Sequence, residues 1–177
     1  NPVLQLTTGY DVRPLSGQAC TNIVPTLFVA AATNAGGTVI SLAWGVTLDP
    51  ASVPAAARFT LHGTAATIAS TSISGPSVLL ALTGAVAYTD VVTVDYVAAA
   101  DPAQTMNGVD VANLTGQACT NIVPPAISSV VTNNAGSTIT LTYAGALDTG
   151  SVPDSTDFVL AGTTATVASP VVVVGST

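Results

Sequence analysis

Catalysis, metal binding and covalent crosslinking each need particular side chains, and this sequence offers few of them. There is a single histidine, His62, alongside nine Asp, two Arg and no Lys or Glu. A nucleophile activated by a base would have to use His62, and no Gly-x-Ser-x-Gly elbow is present. His62 falls on the polar phase of the segment Phe59 to His62, and Ala161 stands 99 residues further on. Both facts read as a solvent-facing structural histidine, and no enzymatic activity is expected. Asp101, Asn107 and Asp110 share a loop rich in Pro, Asn and Gly. Oxygen ligands on a loop suit Ca²⁺, while the spacing is not that of an EF-hand and no bidentate Glu is available. Asx-type turn formation is the other reading of the same three residues, and no other cofactor is indicated. Cys20 and Cys119 also lie 99 residues apart. If similar units stack end to end, their separation is roughly 35–45 Å at about 3.3 Å of rise per strand residue. A disulfide needs Cα atoms within about 7 Å, so an intrachain bond is not expected. The two readings left are an intermolecular disulfide and a pair of buried thiols acting as small apolar side chains.

The elements that must position these residues follow from composition and period. Hydrophobic residues make up 49% of the 177 and charged residues only 6%, with a net charge of −7. Two cations cannot support the clustered Lys and Arg contacts that nucleic acid requires, so nucleic acid is excluded as a partner. No apolar run reaches the 18 or so residues of a membrane span. Thr, Val, Ser and Gly dominate, which favours strands and turns over helices.

A repeat organises the chain. Leu15-Ser16-Gly17-Gln18-Ala19-Cys20-Thr21-Asn22-Ile23-Val24-Pro25 recurs at Leu114 to Pro124 with ten of eleven positions identical. The same 99-residue offset continues through Ile40/Ile139, Leu42/Leu141, Trp44/Tyr143, Leu48-Asp49/Leu147-Asp148, Ser52-Val53-Pro54/Ser151-Val152-Pro153 and Phe59/Phe158. A fixed period of this length marks a tandem array. Residues 1–22 read as the closing strand of a preceding unit, 23–121 as one complete unit, and 122–177 as the first half of a second.

Within the complete unit, Leu27 to Thr33 and Thr38 to Trp44 read as a hairpin around Asn34-Ala35-Gly36-Gly37, with Ile40, Leu42 and Trp44 on one face. A loop with one helical turn follows over Leu48 to Ala57. Further strands are expected at Phe59 to His62, Thr64 to Ser72, Ser77 to Thr83, Val91 to Val97 and Gly116 to Asn121. Val92, Val94 and Tyr96 share the apolar face of the sixth. Seven short strands with turn signals about every ten residues imply an all-β fold, a tandem array of Ig-like Greek-key β-sandwiches with antiparallel sheets; a barrel is the second choice.

Leu48-Asp49, Ser52-Val53-Pro54, Phe59 to Thr64, Val92-Thr93-Val94-Asp95-Tyr96, Asn107 to Asp110 and Gly116 to Asn121, taken together, resemble the SwmB-type repeat. That family builds very long bacterial surface proteins from tandem Ig-like modules. The resemblance implies an extracellular, cell-surface location and a structural, adhesive or motility-linked role without enzymatic activity. The function expected is therefore a structural repeat of a surface fibre or filament. Its partner is self, as a longer array or as a head-to-tail homopolymer in which residues 1–22 of one copy complete the open half-unit of the next. The competing expectation is an adhesin whose loops hold a surface glycan or protein ligand.

Overall fold

Alternating apolar and polar residues bounded by Asn, Gly and Pro produce short strands, and the computed structural model, which describes residues 27–174, contains little else. Strands β1 (Phe28–Thr33) and β2 (Val39–Trp44) form the expected antiparallel hairpin. Its turn is held by one side chain: Asn34 Oδ1 accepts from the amides of Thr38 at 2.8 Å and Val39 at 3.1 Å. Gly37 sits there at φ +67°, and a Cβ would strike the backbone of Val86, so glycine is required both for its conformation and for the close approach. A single 3-10 turn at Ala56–Arg58 precedes β3 (Phe59–His62). Then come β4 (Thr67–Ser74), β5 (Ser77–Thr83), β6 (Thr93–Tyr96) and β7 (Leu114–Thr120).

These seven strands make one mixed sheet in the order β3-β6-β7-β1-β2-β5-β4. Every neighbouring pair is antiparallel except β1 and β7, which run parallel through Ala31↔Cys119 and Ala32↔Thr120. The sheet curls until its outer strands β3 and β4 approach each other, leaving an open slot of about 280 Å³ lined by Phe59, Leu61, Ala66 and Ile68. The structure thus departs from two separate antiparallel sheets. The parallel β1–β7 pairing ties the β4-β5-β2-β1 group to the β3-β6-β7 group and nearly closes a barrel.

The core lies inside this curl. Ile40, Leu42 and Trp44 of β2 are buried, as are Val78 and Leu80 of β5, Val92 just ahead of β6, and Val94 and Tyr96 of β6. Each such aliphatic side chain contributes about 1.5–3 kcal/mol relative to exposure. Tyr96 stacks on Phe59 with ring centroids 4.8 Å apart, and Trp44 meets Phe28 edge-on at 5.7 Å. The Tyr96 hydroxyl accepts a hydrogen bond of 2.9 Å from the buried amide of Ala103.

Beyond this body, β8 (Ile127–Thr132) and β9 (Ile139–Tyr143) form a second hairpin, followed by a 3-10 turn at Ser155–Asp157. It copies the first at the 99-residue offset. Phe28↔Trp44 and the register shift between Phe28 and Ala30 become Ile127↔Tyr143 and a shift between Ile127 and Ser129. Asn133 Oδ1 accepts from Ser137 and Thr138 amides at 2.8 and 3.1 Å, as Asn34 does in the first turn. Asp49 and Asp148 carry the same pair of turn hydrogen bonds. Burial is what differs: Ile40 is inaccessible, while Ile139 is 40% exposed. The local sequence suffices for the hairpin, but no strand among the described residues after Tyr143 covers its apolar face.

Candidate functional site

Several of the residues that could carry chemistry have structural partners. His62 Nε2 lies 3.0 Å from Asp95 Oδ2 with its side chain half exposed. The Gly116 amide, and secondarily His62, hold the Asp95 carboxyl below its usual range. Asp101 accepts from the Ala55 amide at 3.0 Å and from Arg58 Nε at 2.7 Å. Those two contacts, the amide foremost, lower its pKa. Asp110 accepts from Gln104 Nε2 at 2.7 Å, and the Asn107 amide donates to Thr105 Oγ1. The Asp101 and Asp110 carboxylates therefore belong to separate hydrogen-bonding pairs that shape the loop, while Asn107 contributes its backbone amide. Among the described residues no three His, Cys, Asp or Glu side chains converge.

Cys119 occupies a core position on β7 opposite Ala31, 9% exposed, and burial pushes its thiol pKa up. A thiol there packs as a small apolar group and is poorly placed to exchange with another chain. Cys20 lies outside the described residues, as do Asn1 to Asn22, the segment read as a closing strand. Among the described residues, no helix is long and apolar enough to cross a membrane.

What the fold does assemble is the exit of the chain from the seven-stranded body, just after β7. Asn121 Oδ1 accepts from Thr33 Oγ1 at 3.3 Å and from the Val123 amide at 3.1 Å. Its Nδ2 donates to the carbonyls of Ala87 at 2.8 Å, Asp90 at 3.1 Å and Tyr88 at 3.3 Å. The Ile122 amide donates to Thr33 Oγ1 at 2.9 Å. One amide side chain thus joins the end of β1, the 84–92 loop and the segment that follows β7. Asp90 braces the same loop, its carboxylate accepting from the Ala87 amide at 3.0 Å. The sequence places Asn121 only at the end of the segment Gly116 to Asn121. Its signal was the Thr-Asn-Ile-Val-Pro segment repeated at Thr21 and Thr120, which marks a junction kept for geometry. This arrangement fixes how the chain leaves the seven-stranded body.

Comparison with known proteins agrees with a repeat. Residues 21–101 match the family model SWM_repeat, described as "Putative flagellar system-associated repeat". No curated protein and no solved structure matches the chain. The match begins at Thr21, within the segment Leu15 to Pro25 that recurs at Leu114 to Pro124. Residues 21–101 of this chain thus carry a match to the SWM repeat family, which supports a SwmB-type repeat.

Proposed function

We propose that this chain is a non-catalytic structural repeat of an extracellular bacterial surface fibre, built of Ig-like Greek-key units joined head to tail and loaded along their length. The observation that carries the proposal is the parallel pairing of β1 with β7. In a parallel pair the start of one strand and the end of the other lie at opposite ends of the body. Tension applied where the chain enters β1 and leaves β7 then runs along both strands. Their bonds resist together in shear instead of opening one at a time. The Ile122–Thr33 bond and the Asn121 side chain extend that grip past Thr120.

The pairing order supports the Ig-like reading. β4-β5-β2-β1 and β3-β6-β7 correspond to the ABED and CFG groups of an Ig domain. The match to a repeat family and the copied hairpin support a tandem array, with residues 23–121 as a unit and 122–177 as the start of another. The exposed apolar residues on one face of the second hairpin, among them Val130 and Ile139, are the surface that a further set of strands would cover. Later residues of a longer chain or the closing strand of another copy are the two candidates.

Force spectroscopy on the chain pulled from its two ends tests the mechanical part. The unit should rupture in one cooperative event, and Thr33→Val, which deletes the hydroxyl that anchors Ile122, should lower the rupture force. Gradual yielding at low force, or no response to Thr33→Val, would remove the basis for a mechanical role. Antibody labelling of intact cells tests the location, and signal confined to lysed cells would contradict a surface protein.

A further inference from the structure

We infer that the 84–92 loop of one unit is a docking surface for the next unit, with the Tyr88 ring as its contact and Gly145 as the seat that admits it. The inference stands on the contacts alone and holds whether or not the chain is a surface fibre.

The loop is presented rigidly. Asn121 Nδ2 reaches three of its carbonyls, and Asp90 bridges its own amide and carboxylate back to Ala87. Tyr88 projects from this braced loop, 39% exposed. Its ring lies against Gly145, in the turn that follows β9, so closely that a Cβ at that position would overlap ring carbons Cε1 and Cζ and the hydroxyl oxygen.

Glycine serves two purposes in folded chains, left-handed backbone and close approach. Gly145 is not among the glycines with positive φ, so its backbone does not call for glycine and the approach of Tyr88 does. The repeat supplies the comparison. The position 99 residues upstream, in the same turn of the first unit, is Val46. A β-branched side chain there could not receive a ring in the Gly145 geometry. The partner of the Tyr88 loop is thus a following unit with glycine at this turn, and junctions with glycine and with valine there are not interchangeable. Pro124 and Pro125 in the short connection restrict the alternatives open to the chain.

Backbone ¹⁵N relaxation on the full chain tests this directly. With the ring seated, amides of β1–β7 and of β8–β9 report one common tumbling time, and the Gly145 Hα protons carry a ring-current shift. Gly145→Val should free β8–β9 to tumble faster while β1–β7 amides keep their shifts. Tyr88→Leu should abolish the ring-current shift and release the hairpin in the same way. Adding Gly145→Val to Tyr88→Leu should then change nothing more. Two separate tumbling times in the unaltered chain, unfolded shifts over 127–143, or a Gly145→Val chain that still tumbles as one body would each overturn the inference.

Discussion

Replacing Tyr96 by Phe isolates one hydrogen bond in the middle of the core. Tyr96 is fully buried, its ring stacks on Phe59, and its hydroxyl is the acceptor for the buried Ala103 amide at 2.9 Å. Phenylalanine keeps the ring, the stack and nearly all the volume, so the hydrophobic contribution survives. The Ala103 amide loses its acceptor in a place water does not reach, which costs about 1–3 kcal/mol. For a body of this size each kcal/mol lowers Tm by about 4–8 °C. Urea unfolding read by Trp44, the only tryptophan, should show a lower midpoint with an unchanged slope. The effect has a pH signature. Burial raises the Tyr96 pKa above its ordinary value of 10.0, so the folded state holds this proton after the unfolded state has lost it. Stability from this group is therefore complete below pH 10.0 and falls as pH rises toward the folded value. Tyr96→Phe should remove that contribution and flatten the alkaline limb. A loss below about 0.5 kcal/mol, within the range of a neutral surface substitution, would refute the assignment of this bond as a structural tie.

Trp44 Nε1 is buried and finds no acceptor among the described residues. Trp44→Phe removes that orphan along with part of the ring, so its cost should stay below about 1.5 kcal/mol, against about 3–5 kcal/mol for Trp44→Ala; equal losses in denaturant titrations would contradict this. Asp90, Asp95, Asp101 and Asp154 all have lowered pKa values. Their stabilisation is present above the ordinary value of 3.8 and is lost as pH falls through the lower folded values. Asp101→Asn should flatten the acid limb of urea midpoints, and an unchanged limb would argue against the Arg58 and Ala55 contacts. Cys119 should resist a thiol reagent in the native protein and react on unfolding; mass-mapped labelling at that residue under native conditions would show that it is not a core position.

Period-two alternation made the first hairpin and the apolar faces of β2 and β6 readable, since Ile40, Leu42, Trp44, Val92, Val94 and Tyr96 announce a buried side by their spacing alone. The start of β4 was not readable. The Ala66 amide turns back to Thr64 Oγ1, so the strand begins at Thr67, although Thr64 has the same strand propensity. The parallel β1–β7 pairing was hidden for a different reason. Ala30, Ala31 and Ala32 carry no pattern that names a partner, and Cys119 and Thr120 are almost ninety residues away. Distance in sequence also concealed the site. Asp101 reads as a free loop oxygen because Arg58, 43 residues away, gives no sign in the sequence of reaching it. Tyr88 lies in no motif, and Asn121 lies in a repeated segment that does not name its partners; the roles of both depend on the end of the body at which the fold places them.

Position-matched backbone chemical shifts across the 99-residue offset test the central claim most directly. The account predicts strand shifts over 28–33 and 39–44 and again over 127–132 and 139–143, with the Val39 and Thr138 amides protected alike by Asn34 and Asn133. Helical or random-coil shifts in the second stretch beside strand shifts in the first would contradict it.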